Sequence, residues 1–131
     1  MNSDPGIVAI QIELFGIGTL EGEIIRHIAP LSADAIIEKL PLNRRGRFSF
    51  GSKNYWTLPD LGIFKGPNPK SLKDVEKGDI IYNPKTDELI ILLEKIVMPN
   101  KVNKVGKVKS NLELLLNARN GLNMAIKKKK S

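Results

Sequence analysis

The chain has 131 residues, enough for a single domain with one real core, and carries a formal charge of +7 with no cysteine. The missing cysteines exclude a disulfide framework and thiolate chemistry, and the longest apolar run is far too short to span a bilayer. The opening Met1-Asn2-Ser3-Asp4-Pro5-Gly6 lacks a basic segment followed by an apolar core, so no signal peptide is expected, and a soluble cytoplasmic protein is the expectation.

In chain order, residues 1–6 are expected to be disordered. Residues 7–15 alternate, with Val8, Ile10, Ile12 and Leu14 on one face and Gln11 and Glu13 on the other, the pattern of a half-buried strand. Gly16-Ile17-Gly18 reads as a hairpin turn, and 19–28 as a second strand with Leu20, Ile24 and Ile28 inward. Arg26 shares that inward parity, which calls for a bulge or a snorkelling side chain. Pro30 ends the strand, Ser32 is the expected N-cap, and Ala33, Ile36, Ile37 and Leu40 follow helical spacing until Pro41 stops the helix. Residues 42–46 read as a basic loop.

Arg47-Phe48-Ser49-Phe50 is expected to be a strand, with Phe48 and Phe50 on one face. Residues 51–54 then turn into a return strand, Tyr55-Trp56-Thr57-Leu58. Residues 61–64 read as a short further strand, and 66–77 as an irregular, mobile loop. Gly78-Asp79-Ile80-Ile81-Tyr82 and residues 89–93 form a hairpin around the turn chemistry of 83–87. Five successive apolar positions at 89–93 predict that both faces of that strand are covered, in the core rather than at a dimer contact. Met98-Pro99-Asn100 is read as a break, and 101–108 as another strand. Ser110-Asn111-Leu112-Glu113 has the spacing of a capping box. It would open a helix with Leu112, Leu115 and Leu116 on its apolar face, ended by Gly121. Leu122, Met124 and Ile126 alternate as a last strand, with a loose tail at 127–131. The sum is eight to ten strands in hairpin-like succession and two short helices. That is a mainly β chain forming a closed or nearly closed antiparallel barrel, one domain over 1–131.

The charge is uneven. Residues 1–66 hold 7 basic and 7 acidic side chains, whereas 67–131 hold 14 and 7. Lys101, Lys104, Lys107 and Lys109, with the lysine tail, offer an alternative reading as a sequence-poor nucleic-acid surface. The interleaved aromatics that stack on single-stranded bases are missing there. A single histidine, His27, and no cysteine give no metal-ligand set, and no cofactor is expected. Glu21 and Glu23 share a strand face and read as solvated carboxylates rather than an acid pair. The abundance of Ile and Lys fits a thermophile's composition.

Several segments resemble cyclophilins. Pro30-Leu31-Ser32-Ala33-Asp34-Ala35-Ile36 is similar to the cyclophilin Pro followed by Thr-Ala-x-Asn-Phe at the first helix, with the Asn and Phe replaced. Val105-Gly106-Lys107-Val108 is similar to the late Phe-Gly-Lys-Val strand. The chain more closely resembles a family of small cyclophilin-like proteins, common in archaea and some thermophilic bacteria, with no established activity. That resemblance rests on Ala35-Ile36-Ile37-Glu38-Lys39-Leu40-Pro41, on Tyr55-Trp56 with Pro59, on Gly78-Asp79-Ile80-Ile81-Tyr82-Asn83-Pro84, and on Val102-Asn103 with Val105-Gly106-Lys107-Val108. It implies a cyclophilin-like barrel with two helices. Of the cyclophilin catalytic set, only an arginine carries over, onto Arg47, because the Phe-Met-x-Gln-Gly-Gly run is absent. A weak peptidyl-prolyl isomerase is therefore an alternative to the main expectation. That main expectation is a binding module for a small molecule or extended peptide, with a groove formed by Arg47, Phe50, Tyr55, Trp56 and Tyr82. A monomer or a homodimer would suit either.

Overall fold

The computed structural model describes residues 6–49 and 51–129. Ten antiparallel strands dominate: β1 Ile7–Leu14, β2 Gly18–Ile25, β3 Leu42–Arg45, β4 Arg47–Phe48, β5 Tyr55–Leu58, β6 Leu72–Val75, β7 Asp79–Asn83, β8 Glu88–Leu92, β9 Ile96–Ser110 and β10 Asn123–Lys128. One α-helix, α1 Pro30–Lys39, and a 3-10 helix, Leu112–Asn117, complete the fold. The strands pair in the order β3-β10-β1-β2-β9-β7-β8-β5-β4, with β6 on β9.

The ladder does not close into a barrel. β3 and β4 are the two ends of the path, and only Gly46 separates them in sequence. Gly46 spends its amide on the Leu122 carbonyl and its own carbonyl on the Gly121 amide. The Phe48 amide donates to Asn120 Oδ1 at 2.8 Å. Side chain and turn thus satisfy polar groups that strand pairing would otherwise take, and the sheet edges meet through the chain rather than through hydrogen bonds.

Alternation sorts the side chains. Ile10, Ile12, Leu14, Leu20, Ile24, Trp56, Leu58, Ile80, Tyr82, Leu89, Ile91, Met124 and Ile126 fill the interior beneath α1. The opposite face of the β7–β8 hairpin buries Ile81, Ile90 and Leu92 against Val75, Met98 and Val102. Residues 89–93 are accordingly buried on both sides, as their composition predicts.

The remaining departures have local causes. Strand β2 ends at Ile25, so Arg26 is not inward but exposed, with Nε 2.7 Å from Asp34 Oδ1. Pro30 opens α1 instead of merely ending a strand, since its missing N–H is one the first turn leaves unbonded anyway. Ser32 lies inside α1 and accepts from Asn103 Nδ2 at 2.9 Å. Residues 42–45 form a strand on β10 rather than a loop. Residues 61–64 form no strand, because the amides of Gly62, Ile63 and Phe64 turn to the Asp87 carboxylate. Within 66–77, β6 pairs with β9. Strand β9 runs straight through Pro99, where the β6–β9 register shifts and no ladder donor is missed. The capping box does not form: Asn111 is left-handed at φ 65°, and the helix is 3-10. At three residues per turn Leu115 is buried while Leu116 is displaced to the surface, 48% exposed. Lys127 and Lys128 belong to β10, and Lys129 bonds Glu21 at 2.8 Å, so 127–129 are ordered. Gly6 likewise accepts from the Arg26 amide.

Candidate functional site

On β5, Trp56 and Leu58 point inward, so Tyr55 and Thr57 point outward. Outward-facing Ile90 of β8 lies opposite Thr57, and Thr57 in turn lies opposite Arg47 of β4. The first part of β9, with β6, folds over this outer face as a second layer. Where that layer stops short of β4, a cleft of about 390 Å³ opens. Tyr55, Ile90, Met98 and Pro99 give it apolar surfaces, while Arg47, Thr57, Asn83, Lys85, Glu88 and Asn100 supply polar groups.

Arg47 Nη2 lies 2.7 Å from Glu88 Oε2, with the two side chains 52% and 16% exposed. Arg47 is half-exposed while Glu88 is mostly covered, and the guanidinium keeps N–H groups that Glu88 does not take. Asn83 is 5% and Thr57 4% exposed. The Asn83 Oδ1 accepts from the Lys85 amide at 3.0 Å and from Asn100 Nδ2 at 2.9 Å. Among the described residues, Asn83 Nδ2 and the Thr57 hydroxyl have no hydrogen-bond partner.

Below the cleft lies a second polar centre. Buried Tyr82 donates its hydroxyl to Asp87 Oδ1 at 2.5 Å, and the same carboxylate accepts from the amides of Gly62, Ile63 and Phe64. Tyr82 Oη also accepts from the Lys65 amide at 3.3 Å. Burial, then the bond to Asp87, push the Tyr82 pKa up to about 12. For Asp87, burial acts upward, but the bonds from Tyr82, Phe64, Gly62 and Ile63 together outweigh it and hold the carboxyl below its ordinary value. The centre pins residues 60–65, where Asp60 and Phe64 both have positive φ, onto the β7–β8 turn.

Of the groove residues expected from sequence, the structure brings Arg47 and Tyr55 to the cleft. Trp56 and Tyr82 are each 0% exposed and belong to the interior, a correction to their expected place at a rim. Phe50 lies outside the described residues. Trp56 stacks edge-on against Phe48 at 4.8 Å, over Gly46, and its Nε1 has no acceptor among the described residues. Sequence reasoning missed Thr57, Asn83, Glu88, Ile90 and Met98. Strand parity could have found Thr57, because it sits two positions from Tyr55 on the same face. Asn83, before Pro84, reads from sequence as turn chemistry.

The basic set is partly neutralised. Lys104 Nζ lies 3.1 Å from the nearly buried Asp79, and Lys107 Nζ 4.0 Å from Glu23, while Lys101 and Lys109 are exposed and have no carboxylate partner among the described residues. Among the described residues no group of three or more His, Asp or Glu is placed to hold a metal ion, and no helix is long and apolar enough to cross a membrane.

No family model and no curated protein matches the sequence. Solved structures do match. The solution structure of the hypothetical protein AF2241 from Archaeoglobus fulgidus aligns over 98% of this chain and 100% of its own, at 18% identity and a TM-score of 0.76. McbB in complex with tryptophan aligns over 93% of this chain at 15% identity and a TM-score of 0.77, and this chain spans 45% of its length. A cyclophilin-type peptidyl-prolyl cis-trans isomerase of Cryptosporidium parvum aligns over 95% of this chain and 99% of its own, at 11% identity and a TM-score of 0.64. At these identities the likeness is one of fold: a mainly β, cyclophilin-like sheet with two short helices, left open between β3 and β4.

Proposed function

We propose that this protein is a binding module that takes a small molecule or an extended peptide segment in the cleft between β5–β8 and the start of β9. The observation that carries this is the pairing of apolar surfaces from Tyr55, Ile90 and Met98 with polar groups of Thr57 and Asn83 that have no protein partner among the described residues and open onto the cleft. Both groups open onto the cleft, where a bound molecule can replace the water that otherwise satisfies them. A ligand-bearing neighbour of the same fold, McbB with tryptophan, is consistent with small-molecule binding. The sequence motifs further favour placement among the small archaeal and thermophile cyclophilin-like proteins.

The isomerase alternative has less support. Arg47 stands at the cleft, but Trp56, the only tryptophan, and Tyr82 are in the core. The nucleic-acid alternative keeps Lys101 and Lys109 but finds Lys104 and Lys107 beside carboxylates.

The test is two-dimensional NMR of the labelled protein against a panel of small aromatic compounds and proline-containing peptides. Saturable shifts centred on Thr57, Asn83 and Ile90 are expected, and Tyr55→Ala should weaken binding at least fivefold. Saturable binding that maps elsewhere, or is untouched by Tyr55→Ala, would remove the proposal.

A further inference from the structure

Resting on that reading, we infer that the cleft selects a carboxylate attached to an apolar body. The ligand is a free hydrophobic acid or the C-terminal residue of a peptide. The polar groups around the cavity are unequal in kind. Asn83 has its oxygen identified by its partners: Oδ1 accepts from the Lys85 backbone amide, which can only donate. The group left over is therefore the Nδ2 amide, a donor, on a side chain 5% exposed. The Thr57 hydroxyl, 4% exposed and unbonded among the described residues, can also donate. Arg47 keeps further N–H groups beyond the one given to Glu88, and Lys85 adds an ammonium. Against these, the lining offers one carboxylate, Glu88, already accepting from Arg47.

A site with surplus donors, two of them on nearly buried side chains that open onto the cleft, and two cations to one anion is matched by an acceptor with negative charge. Charge-assisted bonds to such donors are stronger than neutral ones. A phosphate would supply the same charge, but Tyr55, Ile90, Met98 and Pro99 leave it no apolar counterpart. At about 390 Å³ the cavity is near the lower end for ligand pockets, suiting one aromatic or branched side chain with its acid group. Arg47 would bridge Glu88 and the ligand carboxylate through the N–H groups that Glu88 does not take.

The experiment compares phenylacetate with phenylacetamide, and acetyl-Gly-Phe as free acid with its C-terminal amide, by NMR titration of the intact chain. Each acid is expected to bind at the cleft at least tenfold more tightly than its amide. Asn83→Asp, which preserves the acceptor for the Lys85 amide while replacing the donor with a negative group, should erase that preference. Thr57→Val should reduce it with the fold kept. Preference for the small acid alone identifies a metabolite-type ligand, and preference for the peptide acid alone identifies a C-terminus; both support the inference. Equal binding of acid and amide at Thr57 and Asn83 would overturn the carboxylate inference and leave the binding module standing. No cleft shifts with any probe, including the wider panel above, would overturn both.

Discussion

At the scale of single residues, what is absent matters as much as what is present. Gly46 has no side chain, and a Cβ there would overlap Trp56 Nε1, Cε2 and Cζ2. Trp56 cannot retreat, because it is fully buried and held against Phe48. Gly46→Ala is thus expected to cost about 3 kcal/mol through overpacking, read from urea denaturation; a change under about 0.5 kcal/mol would show that the corner can relax. Tyr82 and Asp87 form the other sensitive point. Tyr82→Phe removes the donor to Asp87 and the acceptor for the Lys65 amide, at an expected cost of about 2 kcal/mol.

The same pair gives two pH limits. The Asp87 carboxyl is held below its ordinary value of 3.8, so its contribution is full above that value and is lost as pH falls through the depressed native one. The wild-type advantage over Asp87→Asn in melting temperature should therefore be constant at neutral pH and shrink only below about pH 3.8; an advantage that vanished near pH 6 would contradict the assignment. The Tyr82 hydroxyl is shifted the other way. Its contribution is full below the ordinary tyrosine value of 10.0 and is lost as pH rises toward about 12.

At the scale of elements, close backbone approach decides where β9 can run. Gly106 pairs with Ile24 of β2 on one side and Ile80 of β7 on the other. A Cβ at Gly106 would overlap the Glu23 carbonyl oxygen, and one at Gly22 would stand 2.8 Å from the Lys107 carbonyl oxygen. Because backbone atoms cannot swing aside, Gly106→Ala should cost about 3 kcal/mol or prevent folding, and Gly106→Val should be worse. Equal thermal stability of wild type and Gly106→Ala would mean that β2 and β9 slide freely. The β6–β9 layer is a different device, since its shifted register around Pro99 positions Met98 over Ile90 and makes one wall of the cleft.

At the scale of the whole molecule, the excess positive charge is less available than its sum implies. Arg26, Arg47, Lys95, Lys104, Lys107 and Lys129 each have a carboxylate oxygen within 4.0 Å. Of the four lysines on β9, only Lys101 and Lys109 stand clear of such a partner among the described residues. If those two alone neutralise phosphates, affinity for single-stranded RNA should be weak, with a log–log salt slope of about −1.4. A slope steeper than about −4 in a filter-binding titration would show that the paired lysines and the tail engage as well, and would revive the nucleic-acid reading.

The sequence by itself determined most of the strands. Alternation in β1 and β10, the two-sided apolar run of β8 and the Gly-rich turn at 16–18 can be read without a partner, because burial on one face imposes a period of two. It also brought Arg47 and Tyr55 forward as candidates. The cleft was decided only by tertiary structure. Trp56 and Tyr82 have the composition of a rim, but which face of a strand is inward depends on register, and here that register buries both. Parity places Thr57 on the face of Tyr55, but neither it nor Asn83 shows in sequence that its donor is free, since that is defined by what surrounds it. The opening between β3 and β4 is equally non-local: Gly46, Gly121, Leu122 and Asn120 exchange their hydrogen bonds across some 75 residues of chain, and that exchange leaves the ladder unclosed.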